Sequence, residues 1–270
     1  MSGEFSMDIR SDHFSLELYR ETLEKALRLG YSFPTVSELK DGSRHLDKFL
    51  LLRHDIDTSP HYALQMALLE HSLGVRSSYY VLLHSPFYNP AAPRHWDDLR
   101  EIIALGFEVG LHYETDFFEQ RNVDPLEGVL GDVAALEKIL QIKIRSVSQH
   151  RPASGTFLKE LNEFYTDAYN EDLMHKVCYV SDSGFKWRGK TLAELLGIES
   201  RIHALIHPLT WTFRDLDMAG TYQRASEEIT SEIRQSFSEF IVSTNLYLSK
   251  RQQLDSARKA QYSSEANQSR

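Results

Sequence analysis

The feature that most constrains this chain is a repeating order. A short apolar run ends in a polar, chemistry-bearing residue, and a helical pattern follows. The run at 49–52 leads into Arg53, His54, Asp55 and Asp57, and the run at 75–83 leads into His84. The run at 107–111 precedes His112, 142–148 precedes His150 and Arg151, 177–181 precedes Asp182, and 201–206 precedes His207. Between them the spacing predicts a helix at 58–73, with Thr58 or Asp57 as its cap, Pro60 in its first turn and Gly74 at its end. Further helices are predicted at 94–105, closed by Gly106, and at 125–140, where Leu126, Val129, Val133, Leu136 and Leu140 recur at helical spacing. Others are predicted near 155–164 and at 191–197, with an opening helix within 11–30 and one or two long helices over 218–250.

Strands alternating with helices imply βαβ units and a parallel sheet. The number of units and the short connections favour a closed or nearly closed α/β barrel of six to seven strands. Residues 7–250 are read as one domain and 251–270 as a polar, frayed tail. The six residues before Met7 are set aside as an added leader. In a parallel barrel all strand C-termini lie on one face, where active sites of this architecture are built. Six successive strand ends carrying His, Asp or Arg therefore point to a site at that face.

Composition narrows the chemistry. The formal net charge of −9 argues against a nucleic-acid partner, which requires dense Lys and Arg. The one cysteine, Cys178, excludes an intrachain disulfide framework and a thiolate zinc site. No signal-like or membrane-spanning run is present, so cytoplasmic residence and no membrane span are expected. One carboxylate and two imidazoles from different strands make a three-ligand site for a divalent cation. Zinc is the first choice, with Co2+, Ni2+ or Fe2+ as alternatives. Such a cation acidifies bound water and polarises a carbonyl. A second carboxylate can accept the water's proton, and a histidine on the far side can protonate a leaving amine.

The ordered segments LLRHDIDTSPHYALQMALLEHSLGVRSSYYV, LGFEVGLHYETD, SVSQHRPAS, YVSDSGFKWRG and ALIHPLTW resemble, in that order, the motif blocks of the polysaccharide deacetylase family, also called the NodB-homology or carbohydrate esterase family 4 group. The resemblance covers residues 48 to about 212 and looks closest to a bacterial subgroup associated with surface-polysaccharide gene clusters. It implies a distorted (β/α) barrel with fewer than eight strands. It also implies metal-dependent removal of an N-acetyl group from an amino sugar or its precursor. Carried over by residue, Asp55 would be the general base, Asp57 and His112 metal ligands, His207 the general acid, and Arg151 the group that orients Asp55. The family's second block ends in His-x-x-x-His, whereas here His112 is followed four residues later by Asp116. The third ligand is then His150, favoured for its imidazole, or Asp116, with Glu114 a weaker choice.

Other residues have bland readings beside functional ones. His54 is read as hydrogen-bonding near the site, and His203 as structural. Asp182 either orients His207 or caps a turn, and it joins Tyr113, Trp187 and Trp211 as candidates for contact with the sugar substrate. Two histidines and a carboxylate also describe non-haem iron oxygenases, but those place a close His-x-Asp pair on an all-β scaffold. A hydrolase of another linear or cyclic amide and a non-catalytic sugar-binding homologue remain alternatives. Oligomers would form through the C-terminal helices.

Overall fold

The computed structural model describes residues 14–40, 46–214 and 216–268, with side chains described as far as residue 258. The leader at 1–6 lies outside the described residues. The chain divides into two compact units, Met1–Thr221 and Tyr222–Arg270.

The first unit opens with α1 (Leu16–Arg28), capped by the Ser15 hydroxyl. The order then runs β1 (Phe49–Ile56), α2 (Pro60–Ser72), β2 (Ser78–Leu82), α3 (Pro93–Ala104), β3 (Glu108–Tyr113), α4 (Thr115–Glu119) and α5 (Pro125–Leu140). It continues through β4 (Ser146–Gln149), β5 (Thr166–Asp167), α6 (Glu171–His175), β6 (Cys178–Ser181), α7 (Leu192–Leu195), β7 (Arg201–Ile206) and α8 (Pro208–Thr212). The seven strands form one sheet in the order β5-β4-β3-β2-β1-β7-β6, and every neighbouring pair is parallel. The predicted parallel (β/α) architecture is therefore present.

The sheet curls without closing. Among the described residues edge strands β5 and β6 do not pair, and Tyr169, just beyond β5, and Tyr179 of β6 line the gap between them. The Arg53 guanidinium, on central strand β1, lies 4.3 Å over the Tyr169 ring. Strand alternation sends Leu51, Arg53 and Asp55 to the inner face and Leu50, Leu52, His54 and Ile56 to the outer face. Inside, Tyr80 of β2 crosses above Gly110 of β3 and donates to Ser146 Oγ at 2.8 Å. A Cβ at Gly110 would lie 2.4 Å from the Ser146 carbonyl oxygen and 2.5 Å from the Tyr80 ring, so this crossing needs glycine. Phe49, Leu51, Tyr80, Ala168, Leu173 and Val177 pack as an apolar plug below the polar inner layer. Outside, two larger apolar clusters bury the helices against the sheet.

Several boundaries differ from the sequence reading. β1 runs to Ile56 and β3 to Tyr113, so Arg53, Asp55 and His112 stand on the strands themselves. The helix predicted near 155–164 is only a 3-10 turn, Lys159–Glu163, followed by two-residue β5. In place of Thr58 or Asp57, Ser59 caps α2 by accepting from His61 N, which leaves the Asp57 side chain free of that task.

The second unit is helical, formed by α9 (Met218–Gln268) beyond the last residues of the first unit. It continues through the segment read as a frayed tail. Gln, Ala and Arg make up half of residues 251–270 and are good helix formers. Among the described residues no helix is long and apolar enough to cross a membrane.

Candidate metal and catalytic site

The site is built where the inner face meets the C-terminal strand ends. Asp55 occupies the last inner-facing position of β1, and Asp57 the turn before α2. That turn is pinned from the side. Ser85 Oγ donates to the Asp57 carbonyl at 2.8 Å, and Tyr88 Oη donates to the Ile56 carbonyl at 2.8 Å. His112 stands on β3 and His150 immediately follows β4. The His150 amide donates to the Tyr113 carbonyl at 2.7 Å.

Each of these imidazoles has one nitrogen committed and the other aimed inward. His112 Nδ1 is 2.9 Å from the Ser148 carbonyl oxygen, which can only accept, so Nδ1 carries the proton. His112 Nε2 then faces Asp57 Oδ1 at 3.5 Å. His150 Nδ1 lies 2.8 Å from Glu114 Oε1, leaving its Nε2 4.0 Å from Asp57 Oδ1. Burial opposes ionisation of Glu114, but the His150 hydrogen bond and the surrounding histidines together hold it below the usual carboxylate range. Glu114 therefore stays an acceptor and fixes the His150 tautomer.

One donor atom each from Asp57, His112 and His150 lies within 4.8 Å of the others. Asp57 Oδ1 is buried and makes no hydrogen bond among the described residues. Two imidazole Nε2 atoms and a carboxylate oxygen without a hydrogen bond, facing one point, fit a divalent cation, and the mixed N/O set suits zinc and its neighbours. Asp116, the other candidate ligand, sits on α4 outside this cluster.

Asp55 and His207 flank the cluster. Arg53 Nε and Nη2 grip the Asp55 oxygens at 3.0 and 2.7 Å, and Asp55 Oδ2 lies 3.4 Å from His112 Nε2. Burial opposes the Asp55 charge, yet Arg53 foremost and His112 next hold its carboxyl far below the usual range. His207 caps α8. Its Nδ1 lies 2.6 Å from Asp182 Oδ1, and its Nε2 faces Asp57 Oδ2 at 3.9 Å. Burial lowers the His207 pKa, but the Asp182 charge and hydrogen bond outweigh it and raise the net value to about 9. His207 thus holds a proton at neutral pH.

Four assignments need correction. Arg151 does not orient Asp55: among the described residues Arg53 takes both carboxylate oxygens, while Arg151 is exposed with its backbone at φ +46°. Tyr113 follows His112 on β3 and so points to the outer face, where its buried hydroxyl donates to Asp167 at 2.7 Å. Trp211 is buried in the outer core and donates Nε1 to Asp182 Oδ2 at 2.8 Å. Asp182 is fully buried, orients His207 as one of its two readings anticipated, and offers no surface to a substrate. Trp187 is half-buried, packed 5.8 Å from Phe14 and 6.1 Å from Trp211, ring centre to ring centre.

The chain is similar to solved polysaccharide deacetylases. One is the peptidoglycan deacetylase PdaC of Bacillus subtilis, at TM-score 0.41 and 18% identity, covering 70% of this chain and 85% of that one. Another is the Streptococcus pyogenes deacetylase PplD in complex with acetate, at TM-score 0.39 and 12% identity, covering 71% and 81%. A third, BA3943 of Bacillus anthracis, is a CE4 family pseudoenzyme, at TM-score 0.40 and 12% identity, covering 72% and 63%. No protein-family profile and no curated protein sequence matches the chain.

Two functional groups escaped the sequence reading. Arg53 sits two residues before Asp55, and strand alternation alone places both on one face. The Ser148 carbonyl had no sequence signal, because its pairing with His112 depends on the β3–β4 register. His54 is turned to the outer face, where it meets Glu70 rather than the site.

Proposed function

We propose that this chain is a metal-dependent N-deacetylase. Its substrate would be an N-acetylated amino sugar or sugar precursor used in surface-polysaccharide biosynthesis. The observation that carries this reading is the convergence of Asp57 Oδ1, His112 Nε2 and His150 Nε2 between an ionised acid and a protonated histidine. Asp57, His112 and His150 would hold the cation, leaving room for water and the acetyl oxygen. A bound divalent cation would polarise the acetyl carbonyl and make its water more acidic.

The chain's own residues supply the rest. Asp55, kept ionised and oriented by Arg53, accepts a proton from the attacking water. The water oxygen bonds to the acetyl carbon, and the C–N bond then breaks. The leaving amine takes a proton from His207 Nε2, while Asp182 stabilises the imidazolium through Nδ1. The products are acetate and a free amino sugar.

The test is acetate release from a panel of nucleotide-linked and lipid-linked N-acetyl sugars by the zinc-loaded chain. Release that stops with a chelator and with Asp55→Asn is expected. No acetate from any member of the panel would overturn the proposal.

A further inference from the structure

The open seam of the barrel forms a second feature beside the site. Between the ends of β4 and β6 lies a cleft of about 730 Å³, a volume typical of small-molecule sites. Its lining includes Arg151, Tyr169, Tyr179, Ser181, Ser183 and Arg188. Its walls are continuous in sequence with the candidate site: Arg151 follows His150, and Ser181 and Ser183 flank Asp182.

The two arginines make this cleft chemically distinct. Both are exposed, and among the described residues neither has a carboxylate partner, although the whole chain carries a net charge of −9. Arg151 also adopts a left-handed backbone conformation, φ +46°, closed by a Ser154 N–H to Arg151 carbonyl hydrogen bond of 2.8 Å. A non-glycine residue held there costs on the order of 1 kcal/mol, which is a reason to look for function in its placement. Guanidinium groups present paired donors that match the oxygens of a carboxylate or phosphate. Half-buried Tyr169 and Tyr179 line the cleft between them, where an amino-sugar ring can rest.

We propose that the seam cleft binds an oxyanion carried by the substrate, so that the preferred substrate class is a negatively charged N-acetyl amino sugar. Arg151 and Arg188 hold the anionic group, a phosphate or a carboxylate. This rests on the deacetylase reading only in calling the ligand a substrate; the binding itself does not depend on it.

Calorimetric titration of the full metal-free chain tests the cleft without turnover. The probes are N-acetylglucosamine, N-acetylglucosamine 1-phosphate, N-acetylglucosaminuronic acid and inorganic phosphate. The anionic sugars are expected to bind at least roughly tenfold more tightly than the neutral one, with affinity falling as salt rises. Arg151→Ala and Arg188→Ala should each reduce that preference several-fold, and the double variant should abolish it. Arg145→Ala, an exposed charge at the opposite end of β4, should leave it intact. A preference for phosphate over carboxylate, or the reverse, identifies the source of the anion.

Equal binding of neutral and anionic sugars, or a preference that survives the double variant, overturns the proposal. Acetate assays separate the two readings. Deacetylation with no anion preference removes the cleft's role and leaves the deacetylase. Arginine-dependent anion binding with no acetate from any sugar removes the deacetylase and leaves the anion site.

Discussion

Two histidine–carboxylate clusters stand back to back on β1, and they differ in what they leave unused. On the outer face, His54 and Glu70 are fully buried. Glu70 accepts from Tyr19 Oη at 2.5 Å, His54 Nε2 at 2.7 Å, Ser77 Oγ at 2.6 Å and Tyr79 Oη at 2.8 Å. Four donors occupy its lone pairs, and the one leftover atom, His54 Nδ1, has no companion aimed at the same point. On the inner face, Asp57 Oδ1 and two imidazole Nε2 atoms are left over together, facing one another. The residue types are the same. A saturated cluster can only hold the fold together, whereas a cluster with converging spare lone pairs can take a ligand.

The sharpest way to break this comparison is Glu70→Gln. Burial opposes the Glu70 charge, but His54 and the hydroxyl donors together hold its pKa below the ordinary value. The amide cannot take all four donors and removes the charge opposite His54. Loss of about 3–5 kcal/mol is expected, as for removing one partner of a buried pair. Urea unfolding measures it, and a loss under 1 kcal/mol would deny the cluster its structural role. Asp57→Asn should do the opposite. It should leave unfolding of the metal-free chain nearly unchanged and weaken zinc binding by more than the roughly 10–100-fold seen for partners outside the ligand set. Competition with a chromogenic chelator gives the affinity. Unchanged zinc binding would make the two clusters alike and remove the cation site.

How much of this contrast could be read from sequence depends on strand parity. The apolar runs, two of them set off by the glycines that end the preceding helices, located six of the seven strands among the described residues. β5 has only two residues, too few for any period, and α4, α6 and α8 are single turns or little more, set by tertiary packing rather than by propensity. Asp57, His112 and His150 were legible because each lies close behind an apolar run. The errors came from assigning faces by proximity to a motif. Tyr113 adjoins His112, and on a strand adjacency means opposite faces. Arg53 was within reach by the same rule, since it is two residues from Asp55. Arg151 holds the role of orienting Asp55 in the sequence reading because SVSQHRPAS resembles the Arg-Pro block of the polysaccharide deacetylase family. Nothing in sequence could reveal that a carbonyl on β4 sets the His112 tautomer.

The next test concerns how the inner cluster is supported. Glu114 touches no other member of the cation cluster, yet it fixes which nitrogen of His150 faces inward. Glu114→Gln keeps an acceptor oxygen but can also turn an amide N–H toward Nδ1, so the tautomer is no longer dictated. Zinc affinity should fall about 10–100-fold, with less effect than Asp57→Asn. An affinity equal to wild type would mean that His150 does not ligate through Nε2.

The smallest effect sharpens the comparison with a third histidine. His203 stands on the inner face of β7, fully buried, its ring 5.2 Å from that of Tyr179, centre to centre. It has neither a carboxylate partner like His54 nor converging ligand atoms like His112. Burial first, and then the Arg53 charge, push its pKa down to about 3. In the unfolded chain a histidine titrates near 6.5. As pH falls below about 6.5, the unfolded state therefore binds a proton that the folded state refuses, and stability is lost until pH nears 3. At full effect one proton costs roughly 1.4 kcal/mol per pH unit. Glu70, with its lowered pKa, contributes its own acid loss only below the ordinary glutamate range near 4.3. Asp167, raised to about 6 by burial, gains stability as pH falls from 6 to 5 in wild type and variant alike, so the difference between the two chains in that window reports His203. His203→Phe keeps a ring against Tyr179 and binds no proton. Urea unfolding at pH 7, 6 and 5 should show the variant losing less stability across that window than the wild type. Parallel losses would mean that His203 takes up a proton while still folded, and that burial without a partner does not suffice to hold an inner-face histidine neutral.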